Sequence, residues 1–246
     1  MLNTGLMPEN SIFILHTGEK ILGDGNNVVF PLVVTDNDVF IYEDYKYTYH
    51  QNINGWHAEA INKNKTRYRG LVKEIADKPL VSLCETFKDC AQLIEGPDIP
   101  DTVNDMRSTY SGCKSLRAVI IGRNIVDISN CFENCSSLEF GPKLPQDLQN
   151  ANFAFAHCTA LRIAPDFSAS KDVMFMESTF EDCSSLVQSP NISKCSKLKT
   201  IKNAFKDCVN LKKVSLIPQN IEDAHGTFDN CTSLIRKPPM PPHAIA

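Results

Sequence analysis

Histidine and cysteine are the side chains in this 246-residue sequence that could carry nucleophilic or metal chemistry, and there are six of one and ten of the other. His16, His50, His57, His157, His225 and His243 are scattered, and only His157 adjoins a thiol, that of Cys158. Such a pair can generate a thiolate for acyl transfer. Yet Cys158 belongs to a regular series of cysteines, and His157 fills the slot that Asp89 and Asn134 fill elsewhere in that series. No Cys-x-x-Cys or His-x-x-x-His spacing offers a zinc site. Asp36-Asn-Asp38 with Glu43-Asp44 lacks the glycine and terminal glutamate of a calcium loop, so it reads as a solvated turn. There is no P-loop, no Gly-x-Gly-x-x-Gly and no Gly-x-Ser-x-Gly. The residues argue against an enzyme and call for no metal and no cofactor.

The cysteines make better sense as architecture. Cys90, Cys113, Cys135, Cys158, Cys183, Cys208 and Cys231 follow one another at 22 to 25 residues. Three residues before each stands an aromatic: Phe87, Tyr110, Phe132, Phe155, Phe180, Phe205 and Phe228. Three residues after each stands a leucine: Leu93, Leu116, Leu138, Leu161, Leu186, Leu211 and Leu234. Small residues precede the aromatics, and prolines recur seven and ten residues after the cysteines, where they mark corners. A leucine-bearing period in this range predicts a right-handed leucine-rich-repeat solenoid, in which stacking gives each coil the core it cannot build alone. Apolar positions at −7, −3, 0 and +3 from the cysteine have helical spacing and predict a short helical turn. After the leucine the chain reads as extended, with strands held to about three or four residues by the corner proline. A second extended segment is expected around Val103-Asn-Asp-Met106 and its equivalents.

Phe87-Lys-Asp-Cys-Ala-Gln-Leu93 with Pro97-Asp-Ile-Pro100 resembles the BspA-like leucine-rich repeats of bacterial surface proteins. Glu43-Asp-Tyr-Lys-Tyr-Thr-Tyr49, Asn54-Gly-Trp56 and the segment from Thr66 to Ile75 are similar to the leader module of gut clostridial members. The likeness spans roughly residues 40 to 242 and departs from pattern at Cys195-x-x-Leu198, which lacks its aromatic, and at Ile120 and Ser215, where the corner proline is missing. The resemblance implies a non-enzymatic binding or adhesion protein, extracellular or at the cell surface, whose partner is a protein or glycan on a host or neighbouring cell.

Around the repeat the chain divides into three expected parts. Residues 1–62 form a β-rich module, with strands around Ile12–Leu15, Asn27–Val34 and Val39–Tyr42 and an alternation of Tyr45, Tyr47 and Tyr49 that reads as packing. Residues 63–80 hold a capping helix, from an N-cap at Thr66 through Leu71, Val72 and Ile75 to Lys78-Pro79, and a linker. Residues 81–246 are the solenoid of about seven coils, ending on a proline corner with no evident C-terminal cap.

Composition narrows the partners. A formal net charge of −4 gives no global attraction for a phosphate backbone, and no apolar run approaches the roughly 18 residues of a membrane helix. The first ten residues lack the basic and apolar regions of a signal peptide. Residues 85–105 are acidic apart from Lys88, and residues 194–213 are basic apart from Asp207. The bland reading is a solvated surface, and the sharper one is a basic end that meets an anionic partner. Positions just after the leucines are expected to point alternately inward and outward on the strand face, nominating Arg117, Glu139, Phe140, Arg162, Gln188, Lys212, Lys213 and Arg236 as binding residues. The alternative function is structural: a component of a phage particle or cell envelope, docked by the N-terminal module with the repeats as a spacer.

Overall fold

A computed structural model describes residues 6–25 and 33–244, so most of the strand expected at Asn27–Val34 lies outside the described residues. The chain opens with a sheet built from β1 (Ile12–Ile14), β2 (Lys20–Leu22), β3 (Val39–Tyr42), β4 (Tyr45–His50), β5 (Gly55–Ala60), β6 (Glu74–Ile75) and β7 (Lys78–Ser82). Its order is β2-β1-β3-β4-β5-β7-β6. Strict alternation makes β4 two-faced: Tyr45, Tyr47 and Tyr49 are buried and the residues between them half-exposed, as period 2 requires. Phe13, Phe40 and Trp56 join the tyrosines, and the Trp56 indole N–H donates to the Ile75 carbonyl.

The parallel pairing of β5 with β7 starts a backbone ladder that runs on through the repeats. Ser82, Asp105, Asp127, Asn150, Phe175, Thr200 and Asp223 each bridge the next in parallel. This is the second extended segment foreseen from the sequence. The stretch after the leucines forms another ladder, reduced to single-residue bridges: Glu95 to Ala118, Phe140 to Ile163 and Gln188 to Lys213. Strands of three or four residues do not develop there.

Between the ladders the expected helical turn is not a helix, and the described residues contain no α-helix at all. Each coil carries two left-handed residues, five and one before the cysteine, such as Glu85 and Asp89, or Asn130 and Asn134. They divide the backbone's work. In the first coil Leu83, Glu85, Phe87 and Asp89 donate their N–H groups to the next coil, while Thr86, Lys88 and Cys90 donate to carbonyls three residues back. In that turn alternate residues therefore bond between coils and within the turn, and none of these seven amides is orphaned as a helix would orphan its ends. The 4-3-3 spacing that imitates a helix is the spacing of consecutive turns.

The capping helix over 66–75 is also absent. Gly70 sits in its middle, which costs a helix about 1 kcal/mol, and other groups claim the backbone. The Tyr45 hydroxyl donates to Arg69 O, Val72 N–H donates to the Tyr47 hydroxyl, Arg69 N–H donates to Asp44, and Thr66 O accepts from Ile94 N–H. The sheet itself covers the first coil. Thr86 Oγ1 donates to Ala58 O of β5, and Tyr45 and Tyr68 lie against Phe87. At the other end a 3₁₀ turn, Pro242–Ala244, folds back on the last coil, where Ala224 N–H donates to Ala244 O and Ala244 is buried. That turn covers the coil for which the sequence offered no evident cap.

Candidate functional site: the interrupted ladder face

The coil interior explains the residue types that looked reactive. The aromatics stack in one column with neighbouring centroids 5.1–5.7 Å apart and ring planes within 16°. Beside them each thiol, from Cys113 to Cys231, donates to the carbonyl of the previous coil's aromatic, as Cys158 Sγ does to Phe132 O at 3.0 Å. Cys90 has no preceding coil and meets the Tyr68 hydroxyl instead. Burial pushes these thiols up, Cys158 to about 12 and Cys231 to about 11, so they remain protonated and serve as apolar fillers with one weak donor. All ten cysteines are free. His157 faces Asp182 at 3.4 Å on the outside of the same turn, and it forms no pair with the inward Cys158 thiol. Asp38, from the acidic run, is fully buried and accepts from the N–H groups of His16 and Thr35, so it organises a turn.

The two outer faces differ in how their charges are used. On the continuous ladder, Asp105 takes a bidentate bond from Arg107, and that guanidinium holds its carboxyl below the usual range against the opposing effect of burial. The basic stretch near the end is largely neutralised by its neighbours. Lys197 pairs with Asp172, Lys199 with Glu222, Lys202 with Glu177 and Lys206 with Glu181.

On the interrupted ladder the nominated residues Arg117, Glu139, Phe140, Arg162, Gln188, Lys212, Lys213 and Arg236 are all exposed. The expected alternation is not observed, because both positions after each leucine lie outside: a single-residue bridge does not impose the pleat of a longer strand. Arg117, Arg162, Lys212, Lys213 and Arg236 make no ion pair among the described residues, and Glu139 is the one acid that shares their two columns from the second coil onward. Large apolar side chains lie among them. Ile120 is 66% exposed, Phe140 54% and Ile163 60%. Sequence reasoning found Phe140 and missed Ile120 and Ile163, although Ile120 stands where other coils carry a corner proline.

Comparison with known proteins agrees with this architecture. Residues 84–170 and 152–237 match the BspA type leucine-rich repeat region, in six copies. The chain belongs to that family. Among solved structures it is similar to the T. pallidum leucine-rich repeat protein TpLRR, with 22% identity, a TM-score of 0.62, and 78% of this chain and 88% of that one covered. It is also similar to a leucine-rich repeat protein from Bacteroides ovatus, with 15% identity, a TM-score of 0.40 and 80% and 81% coverage. The likeness to TpLRR speaks to the fold. Among curated proteins none matches the chain. No helix among the described residues is long and apolar enough to cross a membrane.

Proposed function

We propose that the chain is a non-enzymatic binding or adhesion module, extracellular or at the cell surface, that presents the interrupted ladder face to a protein or glycan on another cell. The contrast between faces carries this reading. Arg107 on the continuous ladder and Lys197, Lys199, Lys202 and Lys206 in the basic stretch are held by carboxylates, whereas the five cations of this face make no ion pair among the described residues and stand beside exposed apolar side chains. Association with an anionic partner through such exposed charges should weaken as salt shortens the screening length to about 8–10 Å. The test is a screen of the purified chain against glycans and host surface proteins, repeated with Lys212→Glu and Lys213→Glu together. The double reversal should lower binding while stability stays within about 0.5 kcal/mol, as for other surface changes. If every partner found binds the reversed protein as well as the parent, the face is not the site.

A structural reading is favoured by a different observation. β2 ends the sheet among the described residues and leaves Leu22 exposed, an edge onto which an assembly partner could add a strand. Symmetric oligomers in light scattering, abolished by Leu22→Lys, would support it over recognition by the repeats.

A further inference from the structure

The interrupted ladder is broken at regular places. Arg117 N–H donates to Ile94 O, Arg162 N–H to Glu139 O and Lys212 N–H to Val187 O, so coils are joined on this face in pairs. Between the pairs the equivalent bonds are missing, and the N–H groups of Val119, Glu139, Ala164 and Val187 have no partner among the described residues. A groove of about 480 Å³ lies at the first break, lined by residues 119–124 and 143–147. Another of about 430 Å³ lies at the second, lined by residues 162–166 and 187–191.

The charges keep the same rhythm. The position after each leucine reads Ile94, Arg117, Glu139, Arg162, Val187, Lys212 and Ile235, so an unpaired cation recurs on every second coil, and the intervening coils offer Phe140, Val187 and the breaks. Two coils at the usual strand spacing rise about 10 Å, close to the rise of three residues of a polyproline-II segment at about 3.1 Å each, and that three-residue turn returns every third side chain to the same face. Much of the exposed apolar surface is aliphatic, Ile120, Ile163 and Val187, and offers branched chains where a sugar ring would stack on an aromatic face.

From this geometry we infer that the face takes an acidic segment of a partner protein in polyproline-II conformation, laid along the stacking axis with a carboxylate at every third residue over Arg117, Arg162 and Lys212 and apolar side chains between. The inference rests on the proposed binding face and names its partner class.

The test uses the full chain and two labelled peptides of one composition: Glu-Val-Leu-Glu-Val-Leu-Glu, in phase with the cations, and Glu-Glu-Glu-Val-Leu-Val-Leu, out of phase. Fluorescence anisotropy should show the phased peptide bound about tenfold more tightly, with Arg117→Ser, Arg162→Ser and Lys212→Ser together removing at least about tenfold of its affinity, or 1.4 kcal/mol. Lys202→Ser with Lys206→Ser, on the neutralised face, should leave binding within about twofold. Circular dichroism of both variants should match the parent.

Equal binding of both peptides with loss in the triple variant would overturn the register and leave the face standing. Binding insensitive to the triple variant would overturn both. Heparin bound through these cations, with neither peptide recognised, would overturn the peptide inference in favour of an anionic glycan. No binding of any of the three probes would overturn it as well.

Discussion

Tyr110 is the sole tyrosine in the aromatic column, and its buried hydroxyl has no hydrogen-bond partner among the described residues. It fits only because residue 96 is glycine: a Cβ there would stand 2.4 Å from the phenolic oxygen. A buried polar group without a partner costs about 1–3 kcal/mol, so Tyr110→Phe should stabilise the protein by about 1 kcal/mol, read as a higher urea midpoint. Phe155→Ala, in the middle of the same column, should act the other way and cost about 3–5 kcal/mol, the range for emptying a large core site. If neither midpoint moves, the column is not what holds the coils together. The thiols give a separate check. Burial raises every thiol, Cys84 included, but Cys84 is the one cysteine outside full burial and so the one a reagent can reach. A maleimide reagent should label Cys84 in native protein and all ten thiols only in denaturant, and native labelling at three or more sites would contradict the packing.

At the scale of one coil, what matters is which amide bonds to which carbonyl. The two left-handed residues let alternate N–H groups turn inward and across. Asn134 has φ 62° and an exposed side chain without a hydrogen bond among the described residues, so it isolates the backbone requirement from packing. Asn134→Gly should be neutral within about 0.5 kcal/mol, whereas Asn134→Val forces a β-branched residue into that conformation and should cost about 1–2 kcal/mol. Equal midpoints for the two variants would show that the turn does not need the left-handed geometry. This requirement is what the sequence hid. Residues five before the cysteine read Glu85, Ser108, Asn130, Phe153, Ser178, Asn203 and Gly226, with no common type, because bonds from neighbouring coils impose the conformation that propensity alone would not choose. Phe, Cys and Leu were legible because each column demands one shape in every coil. A signal for the continuous ladder was present and overlooked. Eight residues before each cysteine stand Ser82, Asp105, Asp127, Asn150, Thr200 and Asp223, whose side chains accept from the N–H two residues on, with Phe175 as the exception. The alternating breaks left a trace that was not read either: the coils that donate onward carry Gly96, Gly141 and Ser189 where the others carry Val119, Ala164 and Val214, and the cations Arg117, Arg162 and Lys212 follow the same alternation.

Across the molecule, the N-terminal sheet and the repeats share structure at two levels. One backbone ladder passes from β5 through β7 and Ser82 into every coil, and one aromatic contact series passes from Tyr45 and Tyr68 through Phe87 to Phe228. Stacked repeats gain stability from nearest-neighbour interfaces, so an end without a cap frays, and arrays with weak interfaces lose two-state behaviour. Here the first interface lies between unlike units yet buries Leu80, Leu83 and Phe87 completely, and Thr86 bonds across it. Coupling between sheet and repeats should follow. The single tryptophan, Trp56, lies in the sheet and is fully buried, which makes its fluorescence a local probe, while far-UV circular dichroism reports the whole chain. We expect urea transitions by the two probes to coincide in the parent protein. Phe205→Ala, far along the stack, should lower both midpoints together through the loss of about 3–5 kcal/mol. A Trp56 transition that stays in place while the dichroism midpoint falls would instead show a sheet that folds by itself, with the repeats as a separable array behind it.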